Sequence, residues 1–211
     1  MNQLVSGLYA VTPDLTDTGA LVGKVDAALR GGARVIQYRS KSSAAPLCQA
    51  QAAEIARLCR DRSALFIVND SVALARACGA DGVHLGRDDT TVLAARAELG
   101  AGRLIGVSCY NDLGRARAAQ SQGADYVAFG SFFPSATKPL ASHAGMELLR
   151  VAASELALPI VAIGGINEDN AAGLIAGGAD AIAVVSALFD STDIEAQARR
   201  FARLFQIPVN S

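Results

Sequence analysis

The sequence has no tryptophan, two methionines and two histidines, and aromatics make up 5% of its 211 residues. The histidines, His84 and His143, and the four cysteines, Cys48, Cys59, Cys78 and Cys109, form no C-x-x-C pair or zinc-type spacing. Neither charge sign dominates: 19 Lys+Arg stand against 20 Asp+Glu, for a formal net charge of −1. Without a basic block, nucleic acid and anionic membrane surfaces are poor partners. No apolar run approaches the roughly 20 residues that a bilayer-spanning helix needs. The opening residues, MNQLVSGLYAVTPD, lack a basic region followed by a long apolar stretch and a cleavage site. No secretory signal is therefore expected, the cytoplasm is the expected location, and disulfides are not expected. Neither G-x-G-x-x-G nor G-x-x-x-x-G-K-[ST] occurs, and no Ser-His-Asp or Cys-His arrangement supports acyl transfer.

What is present is a chain 51% apolar and 18% charged, which rules out disorder. Its length suits one domain, residues 1–211, with a sizeable core. Eight short apolar runs recur: Leu8–Val11, Val35–Tyr38, Leu65–Val68, Gly82–Leu85, Leu104–Val107, Tyr126–Phe129, Ile160–Ile163 and Ala181–Val185. They are nearly continuous rather than alternating, as in strands covered on both faces. Between them lie amphipathic segments such as Ala44–Arg62, Asn111–Gln122 and Asn167–Ala176. Cys48, Cys59 and Cys78 fall on such helices and read as buried free thiols. Alternating strands and helices mean parallel strands joined by right-handed crossovers. Eight units predict a single (β/α)8 TIM barrel, since a doubly wound sheet has fewer strands. Before four of the strands, Gly32-Ala33-Arg34, Gly79-Ala80-Asp81, Gly123-Ala124-Asp125 and Gly178-Ala179-Asp180 echo one another. Each Gly is expected to end a helix in a left-handed conformation.

In such a barrel the chemistry sits after the C-terminal ends of the strands. Asp70 and Asp89 follow neighbouring strands, and a carboxylate pair suits Mg²⁺. Helix capping competes as an explanation for both, and Asp88 competes with Asp89. Arg39, Lys41, Arg87 and Lys138 share that rim, which points to a multiply charged anion such as a diphosphate. Gly164-Gly165 after the seventh strand and Val185-Ser186 after the eighth occupy the usual place of a phosphate site, which that position favours over plain capping by Asn167 and Ser186. His84, inside a strand, reads as a packed, hydrogen-bonded residue, and His143 as surface. The segment 131–142 is long for a tight domain and is expected to be functional. A metal–diphosphate end facing a monophosphate end suggests a transferase that expels pyrophosphate.

The segments Gln37-Tyr38-Arg39-Ser40-Lys41, Val68-Asn69-Asp70, Ala80–Asp89, Ile105–Ser108, Phe129–Lys138 and Ile163–Ile166 together resemble the thiamine phosphate synthase family. The resemblance runs in order from Gly7 to about Phe189. It implies coupling of 4-amino-5-hydroxymethyl-2-methylpyrimidine diphosphate to 4-methyl-5-(2-hydroxyethyl)thiazole phosphate, or its carboxylated form. Thiamine phosphate and pyrophosphate would be the products. It further implies that Gln37, Tyr38, Arg39, Ser40, Lys41, Asn69, Ser108 and Lys138 hold the pyrimidine diphosphate. Asp70 and Asp89, rather than Asp88, would hold Mg²⁺. Ser135, Ala136, Thr137, Gly165, Val185 and Ser186 would hold the thiazole phosphate. Arg39, Lys138 and Ser108 are the expected catalytic groups. Ser40 and Cys109-Tyr110 depart from the family pattern and bear on the pyrimidine pocket. The rival readings are a related thiazole tautomerase-like barrel, which wants a His after the fifth strand, and a non-catalytic barrel that binds thiamine phosphates. Either a monomer or a small homo-oligomer is compatible with the sequence.

Overall fold

The computed structural model describes residues 5–41, 44–134 and 144–206. Its strands are β1 (Gly7–Val11), β2 (Val35–Tyr38), β3 (Leu65–Asn69), β4 (Gly82–Leu85), β5 (Leu104–Tyr110), β6 (Tyr126–Phe129), β7 (Ile160–Ile163) and β8 (Ala181–Val184). They close into an all-parallel barrel in chain order, with β8 returning to β1. The crossovers carry α1 (Thr18–Arg30), α2 (Ala45–Asp61), α3 (Val72–Cys78), α4 (Val92–Leu99), α5 (Leu113–Ser121), α6 (Met146–Glu155) and α7 (Glu168–Ala176). The short α8 (Ser186–Phe189) and then α9 (Ile194–Leu204) follow β8. No helix among the described residues is long and apolar enough to cross a membrane.

The barrel expected from eight strand–helix units is the barrel observed. Most strand limits agree with the apolar runs to within a residue or two. β5 differs: it continues past Ser108 to Tyr110, because a register shift between those residues bends the strand and lets it resume pairing at Phe129. The four repeated glycines all have positive φ, from +68° at Gly79 to +105° at Gly178. In three repeats the following Asp closes the turn: Asp81, Asp125 and Asp180 accept the backbone N–H groups of Phe66, Ile105 and Ile160, respectively. Each bond ties the foot of one strand to the foot of its neighbour, which satisfies a donor at the barrel's lower rim.

Period-two alternation splits the core. Residues such as Ile36, Tyr38, Val68, Val83 and Ile182 face outward and pack under the helices. Tyr9, Val35, Ile67, Tyr126, Val161 and Ala183 face the barrel axis. Cys48, Cys59 and Cys78 sit on helices, and Cys109 sits on β5 and packs under them. Cys59 and Cys109 are buried, whereas Cys48 and Cys78, expected to be buried, are only partly covered. Burial pushes the Cys59 and Cys109 thiols up to about 12, so almost no nucleophilic thiolate exists near neutral pH. Iodoacetamide at about pH 8, where a free thiol is partly ionised, should leave both unmodified in the native protein and label them only in denaturant. Native-state labelling at the rate of a model thiol would contradict this burial.

Candidate active site

The parity that builds the core also aims the site. In β2, Val35 and Gln37 point to the axis and Arg39 continues the same parity beyond the strand, while Tyr38 points out. Asn69 on β3, His84 on β4, Ser108 on β5 and Ala128 on β6 share that inward parity. Together they line a cavity of about 720 Å³ at the C-terminal ends of the strands. Val185 and Ser186 after β8, and Gly164, Gly165 and Asn167 after β7, line its other side.

Its floor is a chain of side-chain hydrogen bonds that crosses the barrel. The Gln37 Nε2 amide donates to the Tyr9 hydroxyl (2.8 Å), which lies 2.9 Å from the Tyr126 hydroxyl. Tyr126 meets His84 Nδ1 at 3.1 Å, and His84 Nε2 meets Ser108 Oγ at 2.8 Å. Burial pushes His84 down to about 4, so the ring is neutral and carries one N–H. If Ser108 donated to His84, the chain would run toward Tyr9 and leave its buried O–H without an acceptor among these groups. The opposite polarity, with Tyr9 donating to Tyr126, Tyr126 to Nδ1, and Nε2–H to Ser108, satisfies every phenol. It leaves the Ser108 O–H free to donate into the cavity. Gly106 makes this floor possible: a Cβ there would lie 2.0 Å from Tyr126 Cζ.

Neither candidate metal ligand is a helix cap. Ser71 caps α3 and Thr91 caps α4, so Asp70 and Asp89 are released from that explanation. Asp70 adopts φ +63°, a conformation rare outside glycine, with its N–H bonded to the His84 carbonyl at 2.8 Å. This turns its carboxyl toward Asp89, whose Oδ2 accepts the Gly86 N–H at 2.6 Å. The two carboxyl groups lie close enough for Asp89 to act on Asp70. Desolvation first, and Asp89 second, push Asp70 up to about 6, while Lys41 and Arg39 pull it the other way. Two crowded acids with hard oxygen donors fit a divalent cation. Among the described residues no group of three or more His, Cys, Asp or Glu gathers as a metal cage. A two-carboxylate site matches an ion that fills its remaining positions with water and substrate oxygens. Asp88 faces the wide cavity instead.

The cationic rim is tied down from β1. Thr12 Oγ1 accepts the Arg39 N–H at 2.9 Å, and Asp14 accepts from Ser40 Oγ and the Lys41 N–H, both at 3.1 Å. These bonds hold the segment after β2 beside Asp70. Tyr38 is the member of that segment whose side chain leaves the cavity: its hydroxyl donates to Gln51 on α2 at 2.8 Å. At the opposite side, Gly164 (φ +105°) and Gly165 (φ +63°) turn sharply beneath the segment after β6. Phe132 and Phe133 donate their N–H groups to the Ile163 and Gly164 carbonyls at 3.2 and 3.0 Å. Asn167 caps α7 through a reciprocal pair with Asn170, as its capping alternative required, while also lining the cavity. Ser186 opens α8, with Val185 in the cap position. Lys24 Nζ secures the far end of that helix by donating to the Phe189 carbonyl at 2.7 Å.

Ser135, Ala136, Thr137 and Lys138, and also His143, lie outside the described residues. Several cavity residues escaped the sequence reading. Tyr9 and Tyr126 were legible only as core, although a buried tyrosine hydroxyl demands a partner. His84 is packed and hydrogen-bonded as expected, yet it also faces the cavity. Tyr110 reaches the rim through φ +56°, with the Arg87 guanidinium 4.7 Å from its ring centroid. Nothing in the local pattern signals that turn.

Comparison with known proteins converges on one group. A family model described as thiamine monophosphate synthase matches residues 8–188. Curated thiamine-phosphate synthases from Methylobacillus flagellatus and Chromobacterium violaceum are each 55% identical over 201 residues. Both alignments span 95% of this chain, with 96% and 97% of the respective relatives. A solved thiamine phosphate pyrophosphorylase from Pyrococcus furiosus superposes with a TM-score of 0.86 at 36% identity, covering 97% of this chain and 96% of its own. The 3-hexulose-6-phosphate synthase of Salmonella typhimurium, at 19% identity and TM-score 0.70, covers 95% of this chain and 98% of its own, and shares the barrel alone. With the family model spanning nearly the whole barrel and relatives more than half identical over nearly their full length, this chain belongs to the thiamine monophosphate synthase family.

Proposed function

We infer that this chain is a thiamine phosphate synthase: a transferase joining the pyrimidine methylene of 4-amino-5-hydroxymethyl-2-methylpyrimidine diphosphate to the nitrogen of 4-methyl-5-(2-hydroxyethyl)thiazole phosphate or its carboxylate. The C–O bond to the diphosphate breaks, the C–N bond forms, and pyrophosphate leaves. The carrying observation is the pairing of Asp70 with Asp89 just beyond β3 and β4, next to Asn69 and Asp88, which line the same cavity as Gly165 and Ser186, in a chain more than half identical to curated synthases.

In this reading Asp70 and Asp89 would hold Mg²⁺, which when bound neutralises charge on the departing pyrophosphate. Arg39, held by Thr12, and Lys41, held by Asp14, lie close enough to influence Asp70 and would bind the same diphosphate. Lys138 would add a further cation there. The Ser108 O–H, freed by the His84 network, would donate to the leaving group or the pyrimidine. Gln37 and Asn69 would orient the ring, and Tyr38 and Ser40 would contribute through backbone placement. Gly165, Val185 and Ser186, with Ser135, Ala136 and Thr137, would cradle the thiazole phosphate. Family resemblance implies a dissociative course, in which a pyrimidine methylene cation forms and is captured by the thiazole. The described cavity fits that course, because its floor has a neutral His84 and no ionised nucleophile among its hydrogen-bonded groups. Cys109, whose thiol is buried and bonded to the Val107 carbonyl, does not supply the general base a tautomerase would need.

The test is direct. Purified protein with both substrates and Mg²⁺ should release thiamine phosphate and pyrophosphate in equal amounts, and EDTA should stop both. Absence of either product would refute the assignment. Turnover unaffected by EDTA would refute the metal site.

A further inference from the structure

We propose that Arg115, on the first turn of α5, is a positioning residue that sets the spacing between Ser108 and the Asp89 loop, and so shapes the pyrophosphate end of the site. The proposal rests on the reading of Asp70–Asp89 as the metal–diphosphate end.

The backbone ladder between β4 and β5 ends at the pair Leu85–Val107. Beyond it, Gly86 and Ser108 have no registered strand pairing with each other, yet both support the site directly. The Gly86 N–H binds the Asp89 carboxylate at 2.6 Å, and the Ser108 side chain lies at the cavity beside His84. Arg115 supplies what the ladder lacks. Its Nε donates to the Ser108 carbonyl at 2.7 Å and its Nη2 to the Gly86 carbonyl at 2.9 Å. A guanidinium is planar, so two bonds from one group hold two carbonyls at a fixed separation. Arg115 is itself placed by Asp112, whose carboxylate accepts the Arg115 N–H at 3.0 Å as the α5 cap.

The surroundings suit a strut rather than a surface charge. The Arg115 guanidinium lies 6.0 Å from the Tyr110 ring centroid, and Arg87 lies 4.7 Å from the same ring. Tyr110 reaches this position through the bulge after Ser108 and its own φ of +56°. None of the ion pairs formed among the described residues includes Arg115. Its donors instead go to two carbonyls at the mouth of the barrel. Loss of the bridge would free the two strand ends to separate, moving Asp89 relative to Ser108 while leaving the Gly165–Ser186 side in place.

The experiment uses Arg115→Met and Arg115→Lys beside the parent protein. Calorimetry measures binding of magnesium pyrophosphate and, separately, of the thiazole phosphate, and steady-state kinetics give kcat and each KM. Arg115→Met should bind magnesium pyrophosphate about tenfold more weakly and lose about tenfold or more in kcat, as expected for two charge-assisted hydrogen bonds. Thiazole phosphate affinity should stay within about twofold, the scale of a minor remote effect. Arg115→Lys keeps the charge but cannot span both carbonyls as a planar fork, so it should show the same selective loss to a smaller degree. Parent-like magnesium pyrophosphate binding in the Met variant would overturn the proposal. So would equal loss of both ligands. If the Met variant does not fold, a Lys variant indistinguishable from the parent overturns it alone. A parent protein that binds no magnesium pyrophosphate would instead refute the functional reading on which the proposal stands.

Discussion

Asp70→Asn is expected to lower the turnover number by about a thousandfold, the scale seen when charge stabilisation at a transition state loses a principal component, while leaving the metal-free protein at least as stable as the parent. The two halves have one physical cause. Asp70, exposed at the rim, lies against the half-buried Asp89, and desolvation together with that neighbour pushes its carboxyl up to about 6. The folded protein therefore holds two acids that repel when both are ionised, a strain tolerated because a cation would relieve it. Asparagine removes the repulsion and also tolerates the left-handed backbone at φ +63°. Thermal denaturation in EDTA should give a melting temperature equal to or above the parent's. Added Mg²⁺ and pyrophosphate should raise the parent's melting temperature but not the variant's, because only a ligand that binds the native state stabilises it. A variant that keeps near-parental rate, or that melts well below the parent without metal, would contradict the assignment of this pair.

The second large effect is expected from Gly165→Ala, at the opposite end of the cavity. Gly165 has φ +63°, and an added Cβ would lie 2.5 Å from the Pro134 carbonyl oxygen and 2.6 Å from that of Phe133. Both obstacles are backbone, so no rotamer change relieves the clash. The segment they belong to is bonded to the strand end through Phe132 and Phe133, and the Gly165 carbonyl accepts from Asn170 Nδ2 at 3.0 Å. The chain must therefore shift as a unit or unfold locally. A loss of about 1–3 kcal/mol in stability follows from the strained backbone. With the turn displaced, kcat/KM for the thiazole phosphate should fall by about a hundredfold, the scale that misplacement of a substrate-holding group produces. The magnesium pyrophosphate affinity should change little. Unaltered thiazole phosphate kinetics would place the phosphate elsewhere.

Much of this molecule could be read before any coordinates. Eight nearly continuous apolar runs separated by amphipathic segments permit few arrangements other than a closed parallel barrel, because strands covered on both faces need a helix after each of them. The repeated Gly-Ala-Asp turns mark the lower rim, and the polar residues after each strand mark the upper one. The side-chain parity of β2 is also a local property: with Gln37 inward, Tyr38 must face the helices, as its bond to Gln51 records. Helix caps were harder to read, because Asp, Ser and Thr compete for the same position. Only the observed caps, Ser71 and Thr91, detach Asp70 and Asp89 from that role.

The order of strands, the rim that carries the polar groups and the kinds of groups on it were thus determined by the sequence itself, since periodicity and turn chemistry act over a few residues. Tertiary structure alone decided which groups meet. Tyr9 reaches Tyr126 across 117 positions of chain, and Arg115 joins two strand ends that no ladder connects. Such meetings depend on barrel closure, on the bulge in β5 and on backbone turns at Asp70 and Tyr110, none of which leaves a periodic trace. A side chain's direction is local, but the point where several directions converge belongs to the closed fold.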